Sequence, residues 1–314
     1  MRSLTRRDAS WPTSVAAALA LASVGAAVWL SLQPERLHDF VTLVSWCRVW
    51  LDGHDVYATV PSVDYPPWAI VVFSAIAAVP APVAAPVWVA LNVAMLLLAA
   101  WRWSADRAPA ERWLVWCLLV AAGAGRTLNQ FSLFAFAAAT ASAGGSWVRT
   151  GLWLGLSLVK PQIGGVFVLL AALDGQWRRL AVAGVVPVAL LGLYSLHAHA
   201  TPWAVASEYV GTWQDAYAMV GTGRTEVTPW LPWRQSALGV AMGLLAVGVV
   251  ALSPLVVRRG TGERRLLAGL ASLLSVRHLS YDLVLLLPGI ALMEGAWLWG
   301  ATLFCVANPS AILG

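Results

Sequence analysis

Long apolar runs alternate with short polar connections along nearly the whole chain. The runs fall at about 13–32, 82–103, 112–125, 129–143, 147–159, 162–173, 179–196, 236–257, 265–276, 279–293 and 296–313, and apolar stretches of this kind read as helices of a membrane protein. The pattern predicts an all-α polytopic membrane protein with about 11 transmembrane helices. Several runs hold only 12–15 residues. At 1.5 Å per residue these reach about 18–23 Å, short of a hydrocarbon core of about 30 Å, so they are expected to lie tucked among neighbours or to be extended by polar turns. Residues 67–80, which follow Pro66 and close at Pro80, are too short for a full span and predict a half-helix that enters and leaves on one side. Ahead of them, Phe40, Leu43, Val44, Cys47 and Leu51 recur at helical spacing. That stripe predicts an interfacial amphipathic helix over about 39–52, ended by Gly53, with Asp39 at its N-cap or in its first turn.

Composition agrees. The 314 residues are 60% hydrophobic and 11% charged, where soluble domains carry about 45–50% apolar and about 25% charged residues. A water-soluble fold and intrinsic disorder are both excluded, because too much apolar surface would stay hydrated. The 19 tryptophans suit two membrane–water interfaces. Cys47, Cys117 and Cys305 are scattered and odd in number, which excludes a metal-ligand spacing or a complete disulfide framework. The N-terminal basic residues followed by the run 13–32 read as an uncleaved first span rather than a signal peptide, since the run is long enough to cross and no Ala-x-Ala site closes it.

Charge changes the picture from class to orientation. The net charge of +5 does not point to nucleic acid, because the arginines sit in short loops between apolar runs. With a cytoplasmic N-terminus and a non-crossing 67–80, the loops 1–12, 102–112, 144–149, 174–179, 258–265 and 294–295 face inside with net +7. The opposite segments 33–66, 126–130, 160–162, 197–235 and 275–282 carry net −2, the asymmetry that the positive-inside rule demands. All five histidines and Lys160, the one lysine, fall on the outer side. So do Arg126, Asn129, Gln130, Gln162, Arg277, His278, Tyr281 and Asp282, at the ends of different spans, where ionisable groups are costly unless they face a cavity or a partner. The expected arrangement is one membrane domain, 1–314, with a polar outward cavity covered by outer loops 33–66 and 197–235.

Each candidate has a plain structural alternative. Asp39 serves either as a helix cap or as a general base. Lys160, followed by Pro161, is either a snorkelling head-group anchor or a point-charge phosphate contact. Arg126 and the Arg277-His278 pair have the same two readings. His197 and His199 lack a third ligand and the i,i+4 spacing of known metal sites, and Asp52, Asp55 and Asp64 read as solvated loop acids or caps.

Taken in order, the stretches beginning at Asp39-Phe40, Leu51-Asp52-Gly53-His54-Asp55-Val56-Tyr57, Tyr65-Pro66-Pro67, Asn129-Gln130, Gly151 to Gln162, Trp233-Arg234-Gln235-Ser236 and Tyr281 to Pro288 resemble glycosyltransferase family eighty-seven. The family usually has Gly-Gln where this chain has Asn129-Gln130, and often Ser-Pro where it has Ser275-Val276. The resemblance implies a GT-C-type helical bundle in the plasma membrane that uses a polyprenyl-phosphate sugar donor, mannose first among the sugars. It also implies a lipid or glycan acceptor on the extracytoplasmic face, inversion at the anomeric carbon, and no metal or other cofactor. On that basis Asp39 is the expected base. Lys160, Arg126, Arg277 and His278 are expected at the donor phosphate, and Tyr65, Gln130, Gln162, Tyr281 and Asp282 at sugar or acceptor hydroxyls. The rival reading is a lipid or sugar transporter, which predicts an internal repeat and mid-membrane charges that the sequence does not show.

Overall fold

The computed structural model describes residues 10–61, 63–105, 107–124, 128–142 and 145–220. The predicted runs 236–257, 265–276, 279–293 and 296–313 lie outside the described residues, as do Arg126, Arg277, His278, Tyr281 and Asp282. Among the described residues every regular element is a helix.

The first is α1 (Ser10–Ser31), followed by a short 3-10 turn (Pro34–Arg36), α2 (His38–Leu51), α3 (Val56–Thr59) and α4 (Pro67–Ala77). Then come α5 (Ala81–Trp103), α6 (Pro109–Ala124), α7 (Phe131–Ala141), α8 (Trp147–Ser157), α9 (Pro161–Leu173), α10 (Trp177–His197) and α11 (Pro202–Val220). Thr13–Ser31, Ala81–Leu98 and Trp177–His197 are long and apolar enough to cross a membrane. These three are counted among the described residues, where the other apolar helices Pro67–Ala77, Phe131–Ala141 and Pro161–Leu173 are too short to cross by themselves.

The clearest case is α7, buried along its whole length against α5, α8 and α9. Its eleven residues span about 16 Å at 1.5 Å per residue. Such a helix crosses no bilayer by itself; it fills the centre of the bundle. Over the stretch expected to form a half-helix, α4 is a short helix that stops at the turn before Pro80, and α5 starts beyond that proline. Prolines mark other starts for the same reason: Pro67 and Pro161 open α4 and α9, where a missing N–H is no loss.

α1 lies along α6, with Ala16, Ala20 and Ala27 buried in the contact and Ser23 Oγ 3.2 Å from Cys117 Sγ. α8 crosses α10 at closer range still. A Cβ on Gly155 would stand 2.6 Å from Val186 Cβ and 2.8 Å from the Ala183 carbonyl, and Gly151 meets Val182 and Arg179 in the same way. Small residues four apart let two backbones approach, a device suited to an apolar medium where dispersion contacts do most of the work. Gly155→Ala is therefore expected to lower stability by about 1–3 kcal/mol, measured by thermal unfolding in detergent. An unchanged midpoint would mean that α8 and α10 do not approach this closely.

One sequence expectation needs correction. In α2, Phe40, Leu43, Val44 and Cys47 are buried as predicted, but Leu51 is 38% exposed and Trp50 is buried in its place. The reason is a partner: Trp50 stacks on Tyr194 of α10 and donates its indole N–H to the Tyr194 carbonyl at 3.2 Å. Within the expected outer segment 197–235, the described residues include α11, which packs against α3, α4 and α10.

Candidate active site

Asp39 lies in the first turn of α2, yet it caps nothing: the N-cap is Leu37 and no side-chain cap hydrogen bond forms there. Its carboxylate Oδ2 accepts instead from Gln130 Nε2 at 2.6 Å. Asp39 is exposed, whereas Gln130 is buried and sits at the N-cap of α7. The bond thus joins two elements 91 residues apart and holds an accessible carboxylate in place.

Two residues further along α7, Ser132 is fully buried and its Oγ accepts from Lys160 Nζ. Lys160 is the N-cap of α9. The residue before a proline is pushed out of the α region, and Lys160 accordingly has φ −131° and ψ 89°, so the helix begins only at Pro161. Gly164 allows α9 to start hard against the end of α8, since a Cβ there would stand 2.5 Å from the Ser157 carbonyl. The ammonium lies 5.9 Å from the centre of the Tyr65 ring and Lys160 is only 5% exposed. This overturns the snorkelling alternative, in which the charge would reach out of the protein.

Tyr65 is fixed in turn. Its carbonyl accepts from the Tyr57 hydroxyl at 2.8 Å, and its ring packs edge-on against Phe73 and Phe131. Trp68, in the first turn of α4, donates to the Leu158 carbonyl at 2.7 Å, and Phe40 of α2 stacks over Phe131. The N-terminal ends of α2, α4, α7 and α9 therefore meet at one place. Each brings the partial positive charge of a helix start. Gln162 follows in the first turn of α9, half-buried.

The structure thus assembles Asp39, Gln130, Lys160 and Tyr65 from four separate segments of the sequence. Sequence reasoning missed Ser132, Trp88 and Asn92. The signal for Asn92 was present: an amide inside the apolar run 82–103 is a polar group in a span, which calls for a partner.

A second network lies beside this junction. The Tyr194 hydroxyl donates to Asp55 Oδ1 at 3.0 Å and accepts from the Val56 N–H at 2.9 Å, and Asp55 also caps α3 by accepting from the Tyr57 N–H. The cap reading of Asp55 is met. The His197 ring packs tilted against Trp50 with centroids 4.6 Å apart, and its Nε2 lies 3.3 Å from the Leu51 carbonyl, so it serves the same joint between α10 and the first loop. Glu208 of α11 hydrogen-bonds the Asp55 carboxyl; partial burial and then the Asp55 charge hold it above the usual 4.5. A carboxyl raised in the folded state contributes stability below its unfolded value that is lost as pH climbs through the raised one. Glu208→Gln is therefore expected to unfold at a slightly higher temperature than the parent at about pH 7, with the gap closing below pH 4.5. A gap of equal size at acid pH would assign the effect to packing.

The profile of glycosyltransferase family 87 matches residues 64–307, well over half of the chain. The matched stretch takes in Tyr65, Gln130, Lys160 and Gln162, and it begins after Asp39. No curated protein and no solved structure matches the chain.

Proposed function

The chain belongs to glycosyltransferase family 87, and from that premise we propose that it moves a hexose, mannose in the first instance, from a polyprenyl-phosphate sugar to a hydroxyl of a lipid or glycan acceptor. The observation that carries this reading is the junction itself, where an accessible carboxylate held by Gln130 and a buried ammonium on Ser132 flank one turn of α7. A prenyl phosphate is already a good leaving group. The chemistry then needs a base for the acceptor and positive charge for the departing phosphate.

Asp39 takes the proton of the acceptor hydroxyl while its oxygen bonds to the anomeric carbon from the face opposite the phosphate. The bond from that carbon to the phosphate oxygen breaks, its electron pair leaves with the polyprenyl phosphate, and the configuration inverts. Lys160 and the helix N-termini around it stabilise the charge on the leaving oxygen, with Arg126, Arg277 and His278 as further candidates from the sequence. Gln130, Gln162, Tyr65, Tyr281 and Asp282 are the candidates for orienting hydroxyls. No metal enters this scheme.

The direct test supplies purified protein with synthetic polyprenyl-phosphate mannose, its glucose and galactose counterparts, and the corresponding nucleotide sugars, with a total membrane lipid extract as acceptor. Label moving to lipid from a prenyl-phosphate sugar alone supports the reading. Transfer from a nucleotide sugar, or from none of them, defeats it.

Orientation is proposed on charge alone, with the N-terminus cytoplasmic and the junction on the extracytoplasmic face of the plasma membrane. α10 separates the two sides in this scheme. Asp174→Cys is expected to resist a membrane-impermeant thiol reagent in intact cells, while Thr201→Cys labels. The reverse pattern would turn the molecule over and bring Asp39 to the cytoplasm.

A further inference from the structure

The three residues ahead of α7, Leu128, Asn129 and Gln130, are buried. The Leu128 and Asn129 carbonyls precede the helix ladder, so their acceptors must be satisfied from elsewhere. α5 supplies the donors. Asn92 Nδ2 donates to the Leu128 carbonyl at 2.7 Å and reaches the Gln130 carbonyl at 3.5 Å, and Trp88 Nε1 donates to the Asn129 carbonyl at 3.0 Å. Trp88 and Asn92 are four residues apart, one turn along one face of α5. On the other side, Asn129 Nδ2 donates to the Ser31 carbonyl at 3.3 Å and to the Arg36 carbonyl. Those two carbonyls close α1 and the 3-10 turn, and the chain enters α2 directly afterwards. Gln130 then donates to Asp39 itself.

We propose that Asn92 and Asn129 are positioning residues for Asp39: Asn92 holds the 128–130 segment to α5, and Asn129 ties the chain that delivers Asp39 to that same segment. This rests on the reading of Asp39 as the base. Asn92 Oδ1 and Asn129 Oδ1 are both buried without a hydrogen-bond partner. A buried amide used on one side only is a poor stabiliser, because its orphan oxygen has left water without replacement. Stability alone gives no reason to place two such amides here. Geometry does: their N–H groups reach four backbone carbonyls, in the 128–130 segment, at the end of α1 and at the end of the 3-10 turn, and so tie together the chain on both sides of the Asp39–Gln130 pair.

The test uses the full chain with Asn92→Leu, close in shape but without N–H groups, and Asn129→Ala, which cuts the tie from the other side. Misplacing a reacting group by about 1 Å costs roughly a hundredfold in rate. Each variant is expected to lose about tenfold to a hundredfold in kcat, while KM for the prenyl-phosphate sugar stays within about threefold, because Lys160 is untouched. A second readout needs no turnover: a nitroxide on His38→Cys, in a Cys305→Ser background, reports the first turn of α2. Its spectrum should be immobile in the parent, mobile in Asn129→Ala, and unchanged in a Thr150→Val control within α8. If Asn92→Leu fails to fold, Asn129→Ala decides. Parental kcat and an unchanged spectrum, with Asp39→Asn inactive, would reduce the asparagines to packing and overturn the proposal. Loss of kcat and donor affinity together would do the same. An active Asp39→Asn would instead remove the base from the mechanism, and the nitroxide spectrum alone would then judge the positioning claim.

Discussion

Asp39→Asn is expected to lower the rate of sugar transfer by about 10²–10⁴-fold, the usual contribution of a positioned base, with little change in donor KM. The substitution is isosteric, and the amide oxygen of the replacement still accepts from Gln130 Nε2, so the contact seen at 2.6 Å survives. What is lost is the charge that receives the acceptor proton. Because Asp39 is exposed and supports no helix cap, the folded state has little reason to weaken. The measurement is steady-state transfer from a prenyl-phosphate sugar alongside thermal unfolding. Near-normal kcat with an unchanged unfolding midpoint would take Asp39 out of the mechanism and leave it a partner of Gln130 only.

How far the site was legible follows from the range of the signals involved. Where a local rule decides the conformation, the sequence reading and the structure agree. Gly53 ends α2 in the left-handed region at φ +84°, and Pro161 starts α9 with Lys160 outside the helix. The burial of Trp50 in place of Leu51 was not legible, because the deciding neighbour is Tyr194, 144 positions away. α11 was hidden by its mixture: Ser207, Glu208 and Thr212 break the apolar run, and the helix is defined by its seat on α3 and α4, with Thr212 Oγ1 reaching the Val63 carbonyl at 3.1 Å. The short helices were visible as apolar runs, but their depth was not. Hydropathy cannot separate a helix that crosses lipid from one such as α7, enclosed by other helices on every side. For the site, polar residues at the expected outer ends of spans put Gln130 and Lys160 among the candidates, and Asp39 entered through the predicted interfacial helix and the family resemblance. Their pairing through α7, and the support from Asn92, needed the fold.

Lys160→Met is expected to weaken donor handling by about tenfold to a hundredfold, the equivalent of losing one charge-assisted hydrogen bond of about 1.5–3 kcal/mol. An exposed ion pair would be worth only about 0–1 kcal/mol, but Lys160 is 5% exposed, its ammonium bonded to the buried Ser132 hydroxyl and set against the Tyr65 ring. In such surroundings water screens little, and a phosphate meeting that charge gains more from it. The first turns of four helices lie close by and add positive charge of their own, so the loss should be partial rather than complete, and it should appear in donor KM as well as kcat because the phosphate is charged before and after the bond breaks. Methionine keeps the apolar stem and deletes the charge, so the packing against Tyr65 and α7 is retained. The contrast with Asp39→Asn is the informative result: one variant loses turnover with donor binding intact, the other loses donor binding first. If Lys160→Met bound and turned over the prenyl-phosphate sugar like the parent, the phosphate would have to lie against Arg126 or Arg277 instead. Lys160 would then be a structural cation joining α9 to α7.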